Sequence, residues 1–428
     1  MRKVVIVGLG KSGIAAARLV ADKGDIVFIT EIKNDTGARA SLQGLVEDGV
    51  VQKENTELGA HSKRFIEDSD LMIISPGVKQ DSESVRLAEK RNIPIISELE
   101  LSYLACPAPI IAVTGTSGKT TVTTLIGEIL RKAGLDAVVC GNIGNPLSSE
   151  IKRIKHDSIV VLEVSSFQLE RIDRFKPNLS IILNISENHL DRHKDMEEYI
   201  SLKARIFSNQ DKQDVVFLNG KDKALREISH NIKPRVEFFD EYKGFRTIYN
   251  IENENYLAAM SVASMNGVSE DVALDVMTNF KGIEHRLEHV ARINDIDFIN
   301  DSKATTISSV QWALKSLEGH FILIMGGKYK GGDFGVLGDL VKKKVNYIVA
   351  IGEARSRIKQ KLSRFVEVFE KEDFKKALTK ALELAKKDDK ILLSPGCSSF
   401  DMFKNYEERG NVFKEFCSSL SLEHLARP

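Results

Sequence analysis

Two glycine-rich loops dominate the chemistry open to this chain. The first, Gly8-Leu9-Gly10-Lys11-Ser12-Gly13, follows an apolar run at residues 4–7 and opens an amphipathic stretch at residues 13–23. Glycines permit a tight turn and a close approach of backbone to phosphate, and a helix start presents free N–H groups. Glu31, at the end of the next apolar run, stands where an acid would meet a ribose. Alone, this loop suits a dinucleotide, as in a nicotinamide-dependent oxidoreductase, or simply a tight strand-to-helix turn. The second loop, Thr114-Gly115-Thr116-Ser117-Gly118-Lys119-Thr120-Thr121, lies between an apolar run at residues 110–113 and a helical pattern at residues 122–132. Its backbone N–H groups can wrap phosphates, Lys119 can neutralise the β- and γ-oxygens, and the Thr120 hydroxyl can join a Mg²⁺ shell. Val113 stands where the longer G-x-x-x-x-G-K-[ST] form has its first glycine. Hydride transfer has no use for a triphosphate loop, so the pairing points to ATP and away from an oxidoreductase.

Such loops need strands that end together. Short apolar runs recur at residues 4–7, 26–30, 71–75, 110–114, 137–140 and 159–163, then at 180–184, 296–300, 321–325, 347–351 and 390–394. Runs of this kind suit strands buried on both faces of a parallel sheet, and their alternation with amphipathic stretches predicts an α/β fold. Pro107 and Pro109 mark a break, and 428 residues at about 150 per domain suggest three domains. We expect these at 1–105, 106–282 and 283–428. Glu163 closes the strand beside the second loop, where a carboxylate can reach Mg²⁺.

Composition narrows the partners. Lys plus Arg and Asp plus Glu are 61 each, so no bulk field recruits nucleic acid or an anionic membrane. Four scattered cysteines without a C-x-x-C pair fit a reducing cytoplasm better than a disulfide scaffold or zinc ribbon. Arg2 and Lys3 before residues 4–8 look like a miniature signal sequence, but Lys11 and Arg18 follow at once and a first strand is expected instead. No stretch approaches the ~18 apolar residues of a membrane span. The Lys-rich patches at 342–344 and 386–387 read as solvated faces. The expectation is a cytoplasmic protein with no membrane insertion, monomeric by default.

Further motifs follow the second loop: G-N-I-G (141–144), E-V-S-S-F-Q-L (163–169), N-I-S-E-N-H-L-D (184–191), His285-Arg286, N-D-S-K-A-T (300–305) and S-P-G-C-S-S-F-D-M-F-K-N-Y-E-E-R-G (394–410). With them the chain resembles, over essentially its full length, the Mur ligase family of ATP-dependent amide-forming enzymes of peptidoglycan synthesis. The Ser-Ser-Phe-Gln, Asp-Ser-Lys-Ala-Thr and Ser-Phe-Asp-Met-Phe pieces are similar to the branch that adds D-glutamate to UDP-N-acetylmuramoyl-L-alanine. The resemblance implies a Rossmann-like N-terminal domain for the UDP-sugar, a P-loop ATPase-like central domain and a Rossmann-like C-terminal domain for the amino acid. It implies ATP with two Mg²⁺ ions, Mn²⁺ being able to substitute, and an acyl-phosphate intermediate.

Residue by residue, the resemblance places ATP at Gly115, Thr116, Ser117, Gly118, Lys119, Thr120 and Thr121. Asn255 then meets the adenine, and Arg286 and Asp301 meet the phosphate and ribose from the C-terminal domain, with Lys303 in the same motif. Thr120, Glu163, His189 and Lys203 become the metal set, Lys203 as a carbamate, and Lys119, Glu163, His189 and Lys203 the catalytic group. The UDP-sugar falls to Gly10, Lys11, Ser12, Gly13, Glu31, Lys33, Ser75, Pro76 and Gly77, with Asn142 and Ser165 lining its muramyl end. Thr305, Lys330, Ser399, Phe400 and Tyr406 match the amino-acid pocket. Contacts to ATP from two domains imply closure before chemistry.

Three departures stand out. Asn188 replaces the usual Asp before His189, Thr306 stands where Asn is usual, and the stretch 236–255 is short and lacks a G-x-H-N run. Rival readings are the oxidoreductase, a P-loop switch without ligase activity, and a ligase of the same family with another acceptor.

Overall fold

The computed structural model describes residues 1–186, 195–241, 253–280, 282–329 and 331–425. It holds three predominantly parallel sheets in two compact units, Met1–Phe280 and Lys281–Pro428. The first sheet comprises β1 (Lys3–Val7), β2 (Ile26–Glu31), β3 (Thr56–Leu58), β4 (Leu71–Ile74) and β5 (Ile95–Ser97), in the order β3-β2-β1-β4-β5. The chain reverses direction across the sheet between β1 and β4, and the crevice at such a switch point is where open α/β sheets take ligands. The loops that line it follow β1 and β4: the first glycine loop and Ser75-Pro76-Gly77.

The second sheet contains β6 (Ile110–Thr114), β7 (Ala137–Gly141), β8 (Ile159–Glu163), β9 (Leu179–Ile182), β10 (Val215–Leu218) and β11 (Arg235–Phe238), ordered β11-β10-β9-β6-β8-β7. β6, β9 and β10 are buried along their whole length, as continuous apolar runs require. The helix Lys119–Lys132 covers one face with Val122, Leu125, Ile126, Ile129 and Leu130, an i, i+3, i+4, i+7, i+8 stripe against Val113, Val161 and Ile181. It starts at Lys119, three residues before the pattern in the sequence.

In the second unit lie β12 (Glu288–Ile293), β13 (Ile296–Asn300), β14 (Phe321–Gly326), β15 (Val345–Ile351), β16 (Glu367–Lys371) and β17 (Lys390–Leu393). Their order is β12-β13-β17-β14-β15-β16, with only the β12–β13 pair antiparallel. β14 is buried throughout. The strands the sequence leaves unannounced are β3, β5, β10, β11, β12 and β16, and all but β10 lie at sheet edges. Edge strands carry charge (Arg235, Glu237, Glu288, Arg292, Glu367, Glu370) where one side meets water, and this erases the apolar run.

Within Met1–Phe280 the short helix Glu98–Tyr103 joins the first two sheets through two buried carboxylates. Glu98 Oε1 accepts the Ser148 amide and hydroxyl (3.0 and 2.5 Å) and the Ser102 hydroxyl (2.8 Å), and burial pushes its carboxyl above the ordinary range. Glu100 is 1% exposed and caps three successive amides, those of Asp173, Arg174 and Phe175, at 2.9–3.0 Å. Removing that carboxylate leaves three donors without a partner, each costly when withheld from water. Glu100→Ala is therefore expected to lower unfolding stability by about 3 kcal/mol, read as a lower urea midpoint at unchanged slope. A shift under a quarter of that would show that the carboxylate does not brace this junction.

Candidate active site

The first glycine loop is built from within. Gly13 is the third residue of the helix Lys11–Asp22, and a Cβ there would sit 1.9 Å from the Gly8 carbonyl oxygen, so only glycine lets helix and turn meet. That carbonyl accepts the Ser75 hydroxyl (3.0 Å), which ties the turn after β4 to the loop after β1. Glu31 spends both carboxylate oxygens on backbone, taking the Leu9 amide at 2.6 Å and the Lys33 amide at 2.8 Å. Its carboxylate thus holds the loop's shape. Gly10 and Lys11 are exposed, Ser12 and Pro76 half-buried, and Lys33 and Gly77 exposed, a polar rim around a fixed turn.

The second loop gathers two lysines and a glutamate at the end of the central sheet. Gly118 takes φ +80°, the left-handed turn that leads into the helix Lys119–Lys132. Asn184, just after β9, steadies the loop, its carbonyl accepting the Thr116 amide (3.0 Å) and its side chain the Ser117 amide (2.9 Å). Two lysines converge on one acceptor: Lys119 Nζ donates to the Gly115 carbonyl at 3.0 Å and Lys203 Nζ to the same oxygen at 2.9 Å. Lys203 belongs to the helix Met196–Ala204 and is 2% exposed. Burial, and then the charge of Lys119, hold its amine well below the usual lysine range. One turn earlier, Tyr199 lays its ring 4.6 Å from the Lys203 nitrogen and points its hydroxyl at Thr116 Oγ1 (3.3 Å).

Beside this pair stands Glu163, opposite Val113 in the β6–β8 register and 2% exposed. Asn142 donates its side-chain amide to Glu163 Oε1 (2.7 Å) and its backbone amide to the Glu163 carbonyl (2.9 Å). Glu163 Oε2 is buried without a partner among the described residues, and so is the Thr114 hydroxyl at the start of the loop. A buried carboxylate oxygen left unpaired costs about 1–3 kcal/mol or more, and a cation is a group that would offset it. Thr120, buried in the first helical turn, adds a hydroxyl to the set, while Thr121 next to it is half-buried. Ser165 closes a capping box with Gln168 at the start of the helix Ser166–Leu169. A Cβ on Gly118 would come within 2.4 Å of Asn255 Oδ1, so the helix Glu254–Met265 brings Asn255 against the loop.

In the second unit the chemistry-bearing residues gather at the ends of β13 and β17, neighbours in space though 93 residues apart at Asp301 and Ser394. Asp301 Oδ2 accepts the Ser394 hydroxyl (2.7 Å) and Oδ1 the Leu287 amide (3.3 Å). Burial nevertheless raises its carboxyl to about 7. Arg286 projects from a turn whose flanking residues both take the left-handed region, His285 at φ +63° and Leu287 at +44°. Such strain in a leucine persists only where its surroundings enforce it, and it gathers at functional sites. The enforcement comes from Lys303, whose amide donates to the His285 carbonyl (3.0 Å), and from Glu288, which accepts the His285 amide (2.9 Å). Thr305 is half-buried, Ser399 buried and Phe400 62% exposed. Tyr406 meets the His285 ring edge-on at 6.2 Å.

The sequence candidates thus fall into three groups: the β1/β4 crevice, the second loop with Asn142, Glu163, Lys203 and Asn255, and the β13/β17 ends. His189, Asn188, Lys330 and most of the shortened stretch, residues 242–252, lie outside the described residues. Three contributors go unassigned by sequence reasoning. Asn184 and Arg409 sit inside motifs already singled out, and Tyr199 precedes Lys203 by four residues, the spacing that stacks side chains on a helix. Arg409, 1% exposed, donates to the Ser302 hydroxyl (3.0 Å), the Ser302 carbonyl (2.8 Å) and the Cys397 carbonyl (3.3 Å), pinning the two motif loops together.

Comparison with known proteins matches three family models in succession: the Mur ligase MurD-like N-terminal domain at residues 2–97, the Mur ligase middle domain at 113–283, and the Mur ligase glutamate ligase domain at 285–397. A UDP-N-acetylmuramoylalanine–D-glutamate ligase of Koribacter versatilis is 37% identical, and one of Caldicellulosiruptor bescii 39%, each alignment covering 98% of both chains. Among solved structures, the UDP-N-acetylmuramate-alanine ligase MurC of Thermotoga maritima shares the fold at a TM-score of 0.59 and 19% identity, covering 98% of this chain and 100% of that one. The MurF ligase of Thermotoga maritima in complex with ADP does so at 0.57 and 15% identity, covering 83% of this chain and 94% of that one. With all three models matched in order and close to two-fifths identity to relatives along almost the whole chain, the protein belongs to the Mur ligase family.

Proposed function

We propose that this protein is an ATP-dependent carbon–nitrogen ligase that joins UDP-N-acetylmuramoyl-L-alanine to D-glutamate, a step in building the peptidoglycan precursor. The curated relatives that match it end to end carry that activity in their names. The structural observation that carries the reading is the meeting of Lys119 and Lys203 on the Gly115 carbonyl, beside a buried carboxylate oxygen with no partner among the described residues. A simple nucleotide switch has no need of a second buried lysine there. A dehydrogenase needs none of the three groups. Residues 1–105, 106–282 and 283–428 serve in this reading as the UDP-sugar, ATP and amino-acid domains.

The reaction needs a carboxylate to attack the ATP γ-phosphorus, with release of ADP, and then an amine to attack the acyl phosphate, with release of phosphate. The protein contributes position and charge. Lys119 neutralises the β- and γ-oxygens, and the loop amides and Thr121 hold the phosphates. Asn255 meets the base, while Arg286 and Asp301 approach the phosphate and ribose. Gly10, Lys11, Ser12 and Gly13 hold the diphosphate of the sugar nucleotide. Glu31, Lys33 and the turn Ser75-Pro76-Gly77 lie near the uridine, Glu31 also bracing the loop through the Leu9 and Lys33 amides. Asn142 and Ser165 orient the muramyl end, whose carboxylate must reach the γ-phosphate. Thr305, Ser399, Phe400 and Tyr406, with Lys330, form the amino-acid pocket.

Thr120, Glu163, Lys203 and His189 would hold Mg²⁺, and the unpaired Oε2 of Glu163 fits that role. Bound there, the metal would supply charge neutralisation for the phosphoryl group. Lys203 fits carbamylation because a carbamate forms only from a neutral amine, which attacks CO₂ and loses a proton, and burial beside Lys119 favours the neutral form. The product is a carboxylate-like ligand where the sequence places an ammonium.

Phosphate release should require ATP, UDP-N-acetylmuramoyl-L-alanine and D-glutamate together, measured against a panel of amino acids and UDP-sugars. ATP hydrolysis indifferent to both substrates would instead mark a switch. Lys203→Ala should lower turnover by about three orders of magnitude, the size of effect seen when one group stabilising transition-state charge is lost. Added short-chain carboxylate should restore part of that turnover. An alanine variant with wild-type activity would remove Lys203 from the mechanism.

A further inference from the structure

Trp312 is the only tryptophan of the chain, and it lies on the helix Ile307–Ser316 with 43% of its surface exposed. The Arg286 guanidinium carbon lies 5.6 Å from the centre of its ring. Among the described residues Arg286 enters no ion pair, and its backbone amide is tied to the Ile283 carbonyl (3.0 Å). Its main chain is therefore fixed by the strained turn at His285 and Leu287, and the far end of its side chain meets the indole face. An arginine has several rotatable bonds, and a free one would spread its charge over many directions. An aromatic face within about 6 Å attracts the cation and narrows that spread, most strongly when the ring is tryptophan.

We propose that Trp312 is a positioning residue that holds the Arg286 guanidinium extended for the terminal phosphate of a nucleoside triphosphate. This rests on the reading that Arg286 meets ATP. Trp312 acts through Arg286 and touches no reacting atom. A cation–π contact at an exposed site is worth roughly a two- to fivefold preference, and the effect should appear in the terms that contain ATP.

The test uses the full-length protein. Trp312→Ala should lower kcat/KM for ATP about two- to fivefold while leaving KM for D-glutamate unchanged, and Trp312→Phe should recover most of the loss. In an Arg286→Ala background Trp312→Ala should have no further effect. A loss that persists there would mean the ring meets the nucleotide itself, and the proposal falls. So does an alanine variant with unchanged kcat/KM for ATP, or a phenylalanine variant as impaired as alanine. A second arm needs no turnover: Arg286→Ala should change the emission of the lone tryptophan in the nucleotide-free protein, and identical spectra would deny the contact. If the wild type ligates nothing, the functional reading fails while this spectroscopic arm still decides whether the ring holds the arginine.

Discussion

The Gly115 carbonyl oxygen accepts two amines, and much of the central sheet is arranged around the cost of that meeting. Lys203 is almost fully withdrawn from water and faces a second lysine across one acceptor, so its charged form is penalised twice, by lost hydration and by like charge. Such a site survives only if the surrounding elements leave the side chains no other place. β6 delivers Gly115, the helix that starts at Lys119 delivers one amine, and the helix Met196–Ala204 delivers the other with Tyr199 as its floor. The same economy explains Glu163. Asn142 satisfies one oxygen, and the other finds no partner among the described residues.

The two glycine loops solve one problem in different ways. In the first, a buried glutamate braces the turn from below and the approach of Gly13 to Gly8 closes it. In the second, an asparagine from a neighbouring strand end takes two of the loop's amides, and a left-handed glycine turns the chain into its helix. Both loops follow central strands of their sheets, so each is anchored by buried hydrogen-bonded backbone on both sides. Among its described residues, the unit 281–428 instead gathers a strained turn that carries Arg286, a buried arginine that ties two motif loops together, and an aspartate whose carboxyl burial raises to about 7.

Local sequence was enough to announce the α/β class, the buried strands other than β10, both loops and the types of residue that flank them. Each of these is written in neighbouring residues: continuous apolar runs for β6 and β14, the helical stripe from Val122 to Leu130, glycine where backbone must approach phosphate. The charged edge strands were not legible, because a strand with one side in water has no continuous apolar signature. The order of the strands was not legible either. Nothing near Asp301 says that Ser394 will be its partner, and nothing near Glu163 says that Oε2 will be left open.

Sequence by itself determined what each loop could bind and which side chains could take part, since those depend on residue type and short spacing. Only the tertiary structure decided that Lys203 becomes a buried amine at the second glycine loop, that Glu31 accepts two backbone amides, that Asn255 reaches Gly118, and that Arg286 finds an aromatic ring. The physical reason is common to all four. Burial and hydrogen-bond partnership depend on which distant segments sheet pairing and core packing bring together, and those long-range contacts set the charge state and reach of a side chain that, in the sequence, is only a letter.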